Sequence, residues 1–151
     1  MEFQYNDGGR SKAGFKGTAG DCVVRAIAIA AVVEYQIVYD ALKGANQNFA
    51  EDHRSRIAKK ILRNGASPRE GGYRRVFDGY LKSLGFVWQA CMTIGSGCKV
   101  HLRAEELPKG RIICRVSKHL VAVIDGVVND TYNCTRDESR CVYGYYYRPE
   151  G

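Results

Sequence analysis

The sequence predicts an α+β domain in which N-terminal helices, one of them buried and carrying a cysteine, pack on a C-terminal antiparallel sheet. Three observations predict it. Between Asp21 and Ser83 apolar residues recur at three- and four-residue spacing, the period of a helix. From Phe86 onward they fall into short β-branched and aromatic runs, the composition of strands. Helical and strand-like stretches that are segregated along the chain favour an antiparallel sheet over an alternating, parallel one. At 151 residues the chain has the size of one domain, large enough to bury a core without staples.

Taken in order, residues 1–20 hold five glycines and few large apolar groups, which predicts an irregular lead-in with one short extended piece at Glu2 to Tyr5. Asp21 is placed as an N-cap, and Val23, Val24, Ile27, Ala28 and Ala30 follow on a face so apolar that the helix must be buried. A second helix is expected from Tyr35 to Leu42, with no glycine or proline marking its separation from the first. Glu51 to Arg63 reads as a third, with Ile57, Ala58, Ile61 and Leu62 inward and its arginines and lysines outward. Tyr73 to Ser83 reads as a fourth, stopped by Gly85. Strands are expected at Phe86 to Met92, Arg111 to Val116, Leu120 to Ile124, Val127 to Tyr132 and Val142 to Tyr147.

Composition narrows the function classes. No apolar run approaches the roughly 18 residues of a membrane span, so no membrane partner is expected. The first residues lack the basic flank and apolar core of a secretory signal, which places the chain in the cytoplasm, with its six cysteines free in reducing surroundings. Cys91, Cys98 and His101, and Cys134 with Cys141, are spaced too widely for a structural zinc knuckle, so neither a metal nor any other cofactor is expected. In an oxidising setting Cys134 and Cys141 are the pair expected to bond. The formal charge of +7 favours acidic partners, and the basic helix with Tyr73, Arg74 and Arg75 could grip phosphates. No RNA- or DNA-binding signature accompanies these residues, and a solvated helix face explains them better.

Two segments carry chemistry. In "GTAGDCVVRAIAIA" Cys22 stands where a glycine-rich stretch becomes a helix, and a helix N-terminus favours thiolate over thiol and offers free N–H groups to an oxyanion. In "KHLVAVIDGVVNDTYN" two apolar runs flank Asp125-Gly126, a dipeptide suited to a two-residue hairpin turn. That turn pairs Ile124 with Val127, Val121 with Asp130 and His119 with Tyr132, so His119 and Asp130 project from one face as diagonal neighbours. A bulged three-residue turn would select Asn129 instead. Nucleophile Cys22, base His119 and orienting Asp130 match the three roles of a catalytic cysteine site. Each residue alone has a plain structural reading as core or strand edge; the combination is what points to chemistry.

That order, with the pieces "GDCVVRAIAIA", "YDAL", "YLKSLGF", "IGSGCKVHLRAEELPKGRIICRVSKHLVAVIDGVVNDT" and "RCVYGYYYRP", resembles the papain-like cysteine peptidases, and more narrowly a group of small papain-like proteins of phages and bacterial genomes. The resemblance covers most of Asp21 to Pro149. It implies a papain-like fold, a Cys22-His119-Asp130 triad, a thioester intermediate and a protein or peptide substrate, in a phage–host, counter-defence setting. Many papain-like enzymes carry a glutamine six residues before the cysteine as a second oxyanion donor; Lys16 holds that place here, and Gln4, Asn6 and Thr18 are the other candidates. With 21 residues ahead of the nucleophile, no inhibitory pro-segment is expected, which favours a selective enzyme. Transglutaminase-like transfer to an amine is the nearest alternative, followed by a non-catalytic binding module on the same fold.

Overall fold

The structure, a computed structural model, describes residues 1–17, 20–70 and 72–149. It is α+β: helices α1 (Cys22–Ala31), α2 (Tyr35–Asp52), α3 (Arg56–Asn64) and α4 (Arg74–Ser83) accompany strands β1 (Glu2–Tyr5), β2 (Val87–Ala90), β3 (Arg111–Val116), β4 (His119–Ile124), β5 (Val127–Asp130) and β6 (Gly144–Tyr147). The strands form one sheet in the order β1-β5-β4-β3-β6-β2. Its pairs are antiparallel except β1, which runs parallel to β5 with Glu2 opposite Val127. The sheet is therefore mixed rather than antiparallel, and its sixth strand comes from the lead-in. A parallel neighbour needs a long crossover, which everything from α1 to β4 supplies.

Apolar side chains cover both faces of the sheet. Ile113, Leu120, Ala122 and Tyr146 pack against Val24, Ile27, Val38, Phe77 and Leu81 of the helices. On the other face, Ile112, Cys114, Val116, Val121 and Val123 pack with Leu102, Cys134 and Val142 from the intervening loops. The alternation along β3 and β4 is the two-residue period of a strand serving two cores.

Several boundaries differ from expectation for identifiable reasons. The break between α1 and α2 falls at Val32, held in the left-handed region at φ 57°. The last α1 carbonyls are taken by arginines from far along the chain: Arg111 donates to Ile29 and Ala30 (2.6 and 3.2 Å) and Arg148 to Ala30 (3.2 Å). Helix α2 runs on past Leu42 because Asn46 is buried and donates to the Ala66 carbonyl (2.9 Å), continuing the inward stripe Tyr35, Val38, Leu42, Ala50. Helix α3 starts at a Ser55 cap, whose side chain accepts from the Ala58 N–H, instead of at Glu51.

The cysteines also differ from expectation. Cys98 and Cys141 are disulfide-bonded, with Cα atoms 5.9 Å apart, while Cys22, Cys91, Cys114 and Cys134 are free. Long-range pairing of the two segments, through Leu102 N–H to Arg140 O and Val142 N–H to Val100 O (both 2.8 Å), brings these cysteines together. Cys134 is instead core, 1% exposed, so it is not the partner of Cys141.

Gly144 marks where β6 passes under Trp88. A Cβ there would lie 2.4 Å from the indole and 2.7 Å from the Gln89 carbonyl. Gly144→Ala is expected to lower stability by about 1–3 kcal/mol through overpacking, read as a fall in the urea midpoint without a change in slope.

Candidate active site

The β4–β5 hairpin turns on Asp125 and Gly126, both at positive φ (48° and 80°), as a two-residue turn requires. Ile124 faces Val127, Val123 faces Val128 and Ala122 faces Asn129, the unbulged register. One consequence is that His119, at the start of β4, and Asp130, at the end of β5, meet: His119 Nε2 lies 2.6 Å from Asp130 Oδ2. Asn129 is turned away and accepts from Asn6 Nδ2 at 3.2 Å.

Cys22 is the first residue of α1, partly exposed, and lines one cleft with His119. Burial pushes the Cys22 thiol up, but the hydrogen bond and charge of His119, the Leu120 backbone N–H and the charge of Arg25 together hold it below its ordinary value. Burial pushes the imidazole of His119 down, yet the Asp130 carboxylate 2.6 Å away and the neighbouring thiols of Cys134 and Cys22 raise it to about 11. Burial likewise raises Asp130, and the hydrogen bond and charge of His119, the Thr131 N–H and Arg25 outweigh it and hold the carboxyl below its usual range. These directions favour a thiolate–imidazolium pair held by a carboxylate.

Asp21 occupies the N-cap position but makes no capping bond with its side chain. Its fully buried carboxylate instead meets Arg10 Nε (3.2 Å), Arg25 Nε (3.5 Å) and the Tyr35 hydroxyl. Arg25 then reaches Asp130 Oδ1 (3.7 Å) and donates to Thr131 Oγ1 (3.0 Å). A chain of charges thus runs from the lead-in through the root of α1 to the carboxylate behind His119. Sequence reasoning missed it, although the Asp21/Arg25 spacing of four on an otherwise apolar helix was a usable signal.

The three expected oxyanion donors among the described residues, Lys16, Gln4 and Asn6, are not in the lining of the cleft that holds Cys22. Lys16 is exposed; its carbonyl accepts from Arg10 (3.1 Å) and Arg69, and it lines a separate pocket with Arg10 and Thr131. Gln4 is exposed on β1 and donates to the Tyr5 carbonyl (3.3 Å). Asn6 is engaged with Asn129, and Thr18 lies outside the described residues. The cleft that contains Cys22 and His119, about 260 Å³, is lined instead by Arg74, Arg115, Lys118 and Tyr143 among others. The first turn of α1, which begins at Cys22 and has no side-chain cap, offers free N–H groups of the kind that stabilise an oxyanion.

Of the sequence's metal candidates, Cys98 is bonded to Cys141 and His101 pairs with Glu106 (3.3 Å). His119, Asp130 and Cys134 do bring a nitrogen, an oxygen and a sulfur within 4.8 Å of one another. A metal there would have to part the Nε2–Oδ2 contact of 2.6 Å, since ligands on one zinc lie about 3 Å or more apart.

No family model, curated protein or solved structure matches this chain. The arrangement of its own residues is what speaks for its chemistry.

A dependence of stability on pH follows from His119. Its folded pKa is raised above the unfolded value, so its contribution is full below about 6.5 and is lost as pH rises toward about 11. Because Cys22 is held below its ordinary value and gives up a proton in the fold over part of that range, the effect is read without the thiol: Cys22→Ala is expected to lose more stability above about pH 6.5 than the Cys22→Ala/His119→Gln double variant, measured by urea unfolding at a series of pH values.

Proposed function

We propose that the chain is a papain-like thiol hydrolase that cleaves a peptide or isopeptide bond through a thioester on Cys22. The observation that carries this reading is that Cys22, at a helix N-terminus, shares one cleft with His119, whose ring lies 2.6 Å from Asp130. With Nε2 committed to Asp130, Nδ1 is the ring nitrogen left to serve the sulfur.

The Cys22 thiolate adds to the substrate carbonyl carbon, and the carbonyl electron pair moves to oxygen beside the α1 N–H groups. As the tetrahedral species collapses, the C–N bond breaks and His119 gives its proton to the departing amine. Water then attacks the thioester, His119 takes its proton, and the C–S bond breaks to return the thiolate. Asp130 fixes the ring throughout and offsets the imidazolium charge. If an amine replaces water in the second half, the same residues carry out transfer.

The test is to express wild type and Cys22→Ala in the native host, recover proteins held by the variant, and compare them by mass spectrometry with those from cells carrying wild type. A new peptide terminus present only with wild type supports hydrolysis, and a mass gain matching an amine identifies transfer. An unchanged biological effect in Cys22→Ala, with no covalent product from wild type, makes the protein a binding module.

A further inference from the structure

The cleft beside Cys22 is cationic on both walls. Arg74, the first residue of α4, stands on one side; Arg115 on β3 and Lys118 in the β3–β4 turn stand on the other, and the lining contains no aspartate or glutamate among the described residues. None of the three forms an ion pair with a described carboxylate. Asp78, which Arg74 influences, is paired with Lys82 at 2.8 Å and accepts from the Tyr146 hydroxyl.

Other arginines have structural work: Arg10 and Arg25 meet Asp21, Arg111 and Arg148 take α1 carbonyls, and Arg140 donates to Ser117 O and Cys134 O. The cleft arginines are oriented without being neutralised. Arg74 lies over the Trp88 ring (4.7 Å) and against the Tyr146 hydroxyl, and Arg115 lies over Tyr143 (5.8 Å). A guanidinium has five N–H donors, so both keep donors for an anion. Arginine at the first position of a helix is also opposed by the helix's own positive end, a cost that a bound anion removes.

We infer that the segment seated beside Cys22 is an acidic peptide, with aspartate or glutamate side chains next to the bond that is broken. This rests on the thiol-hydrolase reading and names its substrate class. A carboxylate suits a cleft of about 260 Å³ between guanidinium forks, whereas a nucleic-acid backbone needs an extended track of phosphate contacts.

Binding to Cys22→Ala, followed by fluorescence anisotropy, tests it with short labelled glycine–alanine peptides carrying either glutamates or glutamines at the same positions. The glutamate peptide is expected to bind about tenfold more tightly at low salt, with the advantage collapsing as ionic strength rises from about 0.02 to about 0.5 M. Arg115→Gln and, on an exposed turn where folding is not at stake, Lys118→Gln are each expected to reduce that advantage severalfold. Equal affinity for the two peptides, no effect of either substitution, or preference for an oligonucleotide of equal charge overturns the assignment. Iodoacetamide labelling of wild type reports separately on the thiol. Fast labelling of Cys22 without glutamate preference defeats the substrate class alone; glutamate preference with an unreactive Cys22 upholds the acidic site and defeats the thiol chemistry.

Discussion

Alanine at Cys22 or at His119 is expected to lower turnover of a cleaved substrate by at least about a thousandfold, and the double variant to lose no more than either single one. In the proposed mechanism nucleophile and base act as a unit, so removing one leaves the other without a task. Asp130→Asn is expected to lose less. It keeps a hydrogen-bond acceptor 2.6 Å from Nε2 but removes the charge that helps hold the imidazolium. Its optimum should therefore narrow from the alkaline side, because the ring loses its proton at lower pH. Initial rates across a pH series separate these patterns, and additive losses in the double variant would contradict a shared mechanism.

Asp21→Ala is expected to cost about 3–5 kcal/mol, the scale for breaking a buried ion pair from one side. Asp21 is 0% exposed and faces two buried guanidiniums, Arg10 and Arg25, whose charge it offsets. The damage reaches the site because Arg25 also braces Asp130 and contributes to holding Cys22 below its ordinary pKa. Asp21→Asn keeps the shape and the Tyr35 contact, so the difference between the two variants separates packing from charge. Urea unfolding gives the stability, and the rate of Cys22 alkylation in the folded variant gives the effect on the site.

What the sequence disclosed was local. Asp125-Gly126 between two apolar runs determined the hairpin register, and with it the meeting of His119 and Asp130, because a two-residue turn leaves only one pairing. Gly85 at φ 90° ends α4, with Phe86 N–H bonded to Leu81 O, as a glycine after an apolar helix implies. What it concealed was long-range. Nothing in Glu2 to Tyr5 says which sheet edge it joins, and the Cys98–Cys141 bond depends on a pairing of distant loops. Val32 ends α1 without a breaker residue because arginines 80 and more positions later take its carbonyls. The cationic cleft likewise gathers Arg74, Arg115 and Lys118 from separate elements, so the basic cluster around Tyr73 gave no hint of its proximity to Cys22.

The central claim, that Cys22 is a thiolate held by His119, is tested most directly by the pH dependence of iodoacetamide labelling mapped to each cysteine. Cys22 is expected to label first, at a rate that persists well below the roughly 8.5 of a free thiol, and to lose that low-pH reactivity in His119→Gln. Buried Cys114, whose thiol is pushed up, should stay unlabelled in the folded protein. Labelling of Cys22 that rises only near the pKa of a free thiol, or that is indifferent to His119, would contradict the account.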